Sequence, residues 1–254
     1  MAKEDWFKSW FDTSYYHMLY EHRDSTDAQI FMDVLINHLK LNKGDRVLDL
    51  ACGRGRHALY LHKKGFDVKG IDLSKRNIAF ARQHIPSVDF EIKDMRENFG
   101  DAEFDYIFNL FTSFGYFDIR QQHLEAIKNM ALALKPNGVL VLDFMNAHKV
   151  HRGLVEDELI DSDNVSFRVK RYVEDEKIVK EIFVKEDEKE LRYFEKVALL
   201  TLQDFEGLLI ENGADPAAVA HNGKDVLALA VEFGTQALVD FILASLLSGY
   251  AIPS

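Results

Sequence analysis

One stretch limits what this chain can fold into more than any other: residues 46–61, RVLDLACGRGRHALYL. Apolar and small residues with an aspartate lead into Gly53-Arg54-Gly55, and an apolar, helix-like run comes next. A strand feeding a tight glycine turn and then a helix is a general device for holding a nucleotide-like ligand. The glycines let backbone come close to the ligand, and the helix N-terminus offers N–H groups that have no partner within the helix. Several cofactor classes use this device, so the turn alone leaves the ligand open.

The next hundred residues repeat the alternation. Short β-branched or aromatic runs fall at 46–52, 67–73, 88–94, 104–112 and 138–146, with helix-like segments such as IAFARQHI and HLEAIKNMALAL between them. Lys135-Pro136-Asn137-Gly138 reads as a stop before the fifth run. Nearly continuous apolar strands alternating with helices predict an α/β fold: a doubly wound, mostly parallel sheet with helices on both faces. Residues 1–43 read as an N-terminal helical cap whose aromatic residues (Trp6, Phe7, Trp10, Phe11, Tyr15, Tyr16, Tyr20) cover core. Residues 165–200 alternate polar and apolar between charged turns, which predicts a three-stranded antiparallel insert with one wet face. The expected division is therefore a cap at 1–43, a main domain at 44–213 and a tail at 214–254.

Composition removes several function classes. A net charge of −11 over 254 residues disfavours sequence-independent nucleic-acid binding, which needs a basic face. The single cysteine, Cys52, excludes an internal disulfide framework and suits a reducing cytoplasm. No apolar run is long enough to span a bilayer, and MAKEDWFKSW lacks a signal-peptide core, so a cytoplasmic protein without membrane partners is expected. No His/Asp/Glu set shows metal-ligand spacing.

The chemistry concentrates at the strand ends. Asp49 lies four residues before Gly53, where a dinucleotide site would hold a pyrophosphate. A carboxylate there repels phosphate and suits a cationic amine. Asp72, at the end of the second run, is in place for ribose hydroxyls, and Asp94 after the third for an adenine amine, with Met95 against the ring. Asn109-Leu110 ends the fourth. In open α/β sheets ligands bind outside the carboxyl ends of the strands, and all these groups fall there.

These motifs (VLDLACGRGRHAL, GIDLS, KDM, NLFTSFGYF and LKPNGVLVLDF) resemble those of class I S-adenosylmethionine-dependent methyltransferases over 46–146, within a similarity reaching about 1–213. The resemblance implies a Rossmann-like fold, S-adenosylmethionine as cofactor with S-adenosylhomocysteine as product, and methyl transfer to a small molecule. It assigns Asp49, Ala51, Gly53 and Gly55 to the methionine part, Asp72 and Leu73 to the ribose, Asp94 and Met95 to the adenine, and Asn109 and Leu110 to the sulfonium side, with Arg56 also among the cofactor-binding residues. It also implies that the Tyr15-Tyr16 pair contributes to cofactor binding and that the 165–200 insert covers the substrate. Phe114, Tyr116 and Asn146 are the expected acceptor pocket. His57, Tyr116 and His148 are the candidate bases, and no catalytic residue is assigned.

The tail departs from that family. GADPAAVAHNGKDVLALAVEFG and the residues after it resemble an ankyrin repeat over about 205–250, which predicts a helical C-terminal tail and raises a chimera. The fifth strand would then expose an edge and invite self-association. Two alternatives accompany the methyltransferase reading: a nicotinamide-dependent oxidoreductase, which Asp49 opposes, and a methyltransferase-like or ankyrin-like binding protein without activity.

Overall fold

A computed structural model describes residues 5–20, 25–162, 164–213, 220–221 and 226–233. The elements run α1 (Trp6–Trp10), α2 (Ser14–Leu19), α3 (Ser25–Leu39), β1 (Arg46–Leu50), α4 (Arg56–Lys64), β2 (Asp67–Asp72), α5 (Lys75–His84), β3 (Asp89–Ile92) and β4 (Phe104–Asn109). They continue with α6 (Arg120–Ala133), β5 (Leu134–Met145), α7 (Ala147–Arg152), β6 (Asp157–Ser162), β7 (Val165–Glu174), β8 (Lys177–Glu186), β9 (Lys189–Ala198), α8 (Leu202–Ile210), β10 (Ala220–His221) and β11 (Val226–Phe233).

Five strands pair in parallel in the order β5-β4-β1-β2-β3. The order reverses between β1 and β4, and such a switch point opens a crevice at the carboxyl ends. Strand pleating sorts the core into two layers. Leu48, Leu50, Ile107, Leu140 and Leu142 face α6 and α8, whereas Val47, Val68, Phe108 and Val141 face α3, α4 and α5. Each buried aliphatic side chain in these layers contributes about 1.5–3 kcal/mol. The same alternation puts Asp49 on the α4 side. The doubly wound parallel sheet matches the expectation from the sequence.

Three details differ. The KPNG stretch lies inside β5 and marks a register shift against β4, with Asn137 at φ 64°, so it is a bulge within the strand. The fourth run stops at Asn109, because Phe111 and Thr112 turn into the left-handed region. The antiparallel insert has four strands in the order β6-β7-β8-β9, beginning at Asp157. Its first strand, DELIDS, has too many acidic residues to read as a strand in isolation.

The tail is the main correction. Residues 226–233, expected as an ankyrin-like helix, form β11 antiparallel to β5, with Val226 opposite Met145 and Phe233 opposite Gly138. The short β10 pairs with β11 in turn. Leu and Ala in VLALAVEF favour helix, but an open sheet edge offers a row of backbone partners that overrides so small a preference. A strand pair thus stands where the sequence suggested none, and the chimeric reading loses its ground. The β5 edge, expected to be free for self-association, is paired along 138–145. The rest of the ankyrin-like stretch falls outside the described residues.

Candidate functional site

The glycine turn is built by its neighbours. Gly55, at φ 79°, begins α4 without a capping side chain. Asp49 takes over that task from β1: its Oδ2 accepts the Ala58 N–H at 3.0 Å. Burial pushes the Asp49 carboxyl up to about 7, and the Asp72 charge adds to this, while the Ala58 N–H and the Arg56 guanidinium oppose it. Ala51, at φ 64°, is a non-glycine residue in the left-handed region. Asp72 accepts from the N–H of Gly53 and of Ser74, both at 2.8 Å, and so ties β2 to the turn. Burial raises its carboxyl as well. Two neighbouring carboxyls, Asp49 buried and Asp72 partly so, with no ion pair to either among the described residues, make this end of the sheet suited to positive charge.

On the far side of β2, Leu73 and Met95 pack against the core. Asp94 is engaged by Arg96 in a fork, Nη2 to Oδ2 at 2.6 Å and Nε to Oδ1 at 3.0 Å. The same Nη2 reaches Asp5 of the cap at 2.7 Å. Asn109 is fully buried; its Nδ2 donates to the Leu50 carbonyl at 3.1 Å and its Oδ1 has no partner among the described residues. Leu110 is buried beside it.

The cap lies across these strand ends. Asp12 accepts from Ser74 Oγ at 2.6 Å and from the Arg76 N–H at 2.9 Å, and His17 Nε2 meets Asn77 Oδ1 at 2.8 Å. Burial, with the nearby Arg54 charge, lowers His17 to about 4. Tyr16 packs on Phe11 at 5.0 Å, which packs on Tyr116 at 5.4 Å. Tyr15 turns the other way, its hydroxyl donating to Glu186 of β8 at 2.7 Å.

Beyond β4 the chain makes a strained turn. Phe111 and Thr112 have φ 58° and 56°, a conformation costing about 1–3 kcal/mol per residue, most of all for the β-branched threonine. Asp143 of β5 holds it: Oδ2 accepts the Phe111 N–H at 2.8 Å, and the Asp143 carbonyl accepts the Thr112 N–H at 3.0 Å. Burial pushes the Asp143 carboxyl up to about 6. The Tyr116 hydroxyl donates to the Thr112 carbonyl at 2.6 Å. Phe114 is 1% exposed and packs on Phe205 in the core, while Tyr116 meets Trp6, Phe7 and Phe11 of the cap. Asn146 comes after β5 and starts the turn into α7, its carbonyl accepting the Val150 N–H. His57 stacks on Phe111 at 5.0 Å, and burial lowers it to about 3, so it is neutral and a weak base. The His148 side chain lies outside the described residues. Asp143, Arg96 and the Asp12–His17 contacts escaped the sequence reading. Only Asp143 carried a signal, as the one acid in the apolar run GVLVLDF.

Carboxylates at successive strand ends beside a switch point and a left-handed glycine turn sit on a Rossmann-like fold of the kind that methyltransferases have. Residues 47–138 match the family described as "Methyltransferase domain". YqeM of Bacillus subtilis (strain 168) is 36% identical over 122 residues, 46% of this chain and 49% of its own length. A sugar N,N-dimethyltransferase of Streptomyces venezuelae, acting by name on dTDP-3-amino-3,4,6-trideoxy-alpha-D-glucopyranose, is 31% identical over 97 residues, 38% of this chain and 41% of that one. The alignments thus span about half or less of these relatives. Among solved structures, an S-adenosylmethionine-dependent methyltransferase from Clostridium acetobutylicum superposes with a TM-score of 0.71 at 21% identity, covering 87% of this chain and 96% of that one. The amino pentose methyltransferase CalS10 from Micromonospora echinaspora, solved with its cofactor bound, gives 0.67 at 20% identity, covering 87% and 97%. At these identities the superpositions establish the fold.

Proposed function

We propose that this protein transfers a methyl group from S-adenosylmethionine to a small-molecule acceptor. The carrying observation is Asp49: a buried carboxyl raised to about 7 at the glycine turn, beside a second raised carboxyl on Asp72. That arrangement suits a cofactor presenting an amine cation and no phosphate. Bound there, S-adenosylmethionine supplies an electrophilic methyl on a sulfonium.

The chain's own work is binding and alignment. Asp49 faces the amine together with the turn at Ala51, Gly53 and Gly55, and Arg56 flanks it. Asp72, with Leu73, takes the ribose hydroxyls. Asp94 and Met95 take the adenine, which requires Asp94 to share lone pairs with Arg96. Asn109 and Leu110 line the sulfonium side, and the orphan Asn109 Oδ1 is an acceptor awaiting a donor. Tyr16, Tyr116 and Asn146 border the acceptor, and the cap with the antiparallel sheet excludes water. Alignment of reactants in this manner supplies about 7–11 kcal/mol of a bimolecular barrier. An amine acceptor is favoured by the Streptomyces venezuelae relative named for N,N-dimethylation and by the neutral, buried state of His57, since a neutral amine needs no strong base to attack.

Calorimetric titration with S-adenosylhomocysteine, with NAD as comparison, tests the reading. Saturable binding of the homocysteine ligand alone supports it; binding of NAD in its place, or of neither by folded protein, refutes it.

A further inference from the structure

Resting on the methyltransferase reading, we propose that Asp143 is a positioning residue: it clamps the Phe111–Thr112 turn and so sets the wall of the acceptor pocket. The clamp is double. The Asp143 side chain takes the Phe111 N–H at 2.8 Å and its backbone carbonyl takes the Thr112 N–H at 3.0 Å. Both recipients are non-glycine residues in the left-handed region, a conformation the chain holds only when its surroundings over-determine it.

What the turn carries explains why it is held. The Phe111 ring stacks on His57 and lies under the Arg56 guanidinium, 5.6 Å from its centroid, beside the glycine turn. One residue on, the Thr112 carbonyl anchors the Tyr116 hydroxyl at 2.6 Å, and Tyr116 packs edge-on to Trp6 of the cap at 5.4 Å. A displacement at Asp143 therefore reaches the cofactor side through Phe111 and the cap through Tyr116. Ser113 Oγ braces the same turn against the Leu110 carbonyl at 2.7 Å. A carboxyl buried in apolar surroundings for packing alone would be a poor choice, since leucine would fill the space without desolvating an acid. Among the described residues its single side-chain bond goes to the Phe111 N–H.

Two measurements test the clamp. In the unaltered protein, hydrogen exchange at the Phe111 and Thr112 amides is expected to be slowed by about 100-fold or more relative to a free amide. Exchange at the free rate overturns the proposal and needs no variant. The second measurement follows iodide quenching of tryptophan fluorescence with both tryptophans kept: Trp10 is 1% exposed and shielded, so the quenched signal is that of Trp6, which packs on Tyr116. Asp143→Ala is expected to raise iodide quenching of Trp6 about twofold, and Asp143→Asn, which keeps an acceptor oxygen, to restore most of the shielding. Quenching unchanged in folded Asp143→Ala, or the same in both variants, refutes the clamp. Affinity for S-adenosylhomocysteine, measured alongside, is expected to stay within about threefold in Asp143→Asn. If the unaltered protein fails to bind that ligand, the cofactor reading falls, and the exchange and quenching results still decide the clamp.

Discussion

Asp49 works for the fold and is placed for the proposed ligand at once. Its Oδ2 caps α4 through the Ala58 N–H, and its burial leaves the negative charge poorly compensated. An unfolded aspartate titrates near 4, whereas this one titrates at about 7. Its folded form therefore binds a proton that the unfolded chain has lost between those values. The stability it contributes is complete below about pH 4 and is lost as pH rises through about 7. Asp143, raised to about 6, acts in the same direction. His17 and His57, lowered to about 4 and about 3, act in the opposite sense below about pH 6.5, so the test is a difference. The melting temperature of ligand-free Asp49→Asn should gain on that of the unaltered protein as pH rises from about 4 to 7. A cationic ligand reverses the balance by favouring the ionised carboxylate. Binding of S-adenosylmethionine should then release a proton below about pH 7, visible as a dependence of the calorimetric heat on buffer ionisation enthalpy. Asp49→Asn keeps the cap to Ala58 but should weaken binding by about 10- to 100-fold, the loss of one charge-assisted contact. A buffer-independent heat would show that Asp49 does not face the ligand.

Among the elements, the cap shows what sequence can and cannot announce. Trp6, Phe7, Trp10 and Phe11 were legible as aromatic cover for a core, and Phe7 and Trp10 are indeed buried. What they cover was not legible, because the partners lie far away in the chain. Trp10 Nε1 donates to Glu195 at 2.8 Å, the Tyr20 hydroxyl donates to the same carboxylate at 2.8 Å, and Lys180 pairs with it. The acidic residues of the insert looked like a solvated face, but Glu195, and Glu186 through Tyr15, fasten the cap to it. Strand ends could be read because hydrophobic runs and glycines are local signals; Asp94 was found that way. Its fork to Arg96, and from there to Asp5, was hidden, since two of those three residues meet only after folding. Removing one partner of a buried network leaves the others unsatisfied, so Glu195→Ala should cost about 3 kcal/mol. Urea unfolding would register that loss, and limited proteolysis should cut the cap before the main sheet. A midpoint unchanged from the parent would mean that apolar packing alone holds the cap.

For the whole molecule, the question is how one sheet is finished at its β5 edge. The resemblance to an ankyrin repeat made 226–233 a helix, and its Leu and Ala residues favour that state locally by a few tenths of a kcal/mol. An eight-residue edge on β5 outweighs them, because each backbone group left without a partner in a partly buried site costs about 1–3 kcal/mol. The structure therefore pairs Val226–Phe233 with Gly138–Met145, and the same strand β5 carries Asp143. Edge and clamp are coupled through it: Ala228 lies opposite Asp143 in the register. Ending the chain at Gly213 should uncover the β5 edge and produce self-association at micromolar concentration, seen by light scattering on a sizing column. The same truncation should loosen the Phe111–Thr112 turn, since an unpaired β5 holds Asp143 less firmly, and hydrogen exchange there should quicken. The glycine turn, built from β1, α4 and β2 at the other side of β4, should keep its affinity for S-adenosylhomocysteine within about tenfold. A truncated chain that stays monomeric, with exchange at the turn unchanged, would show that β11 contributes nothing to closing the sheet.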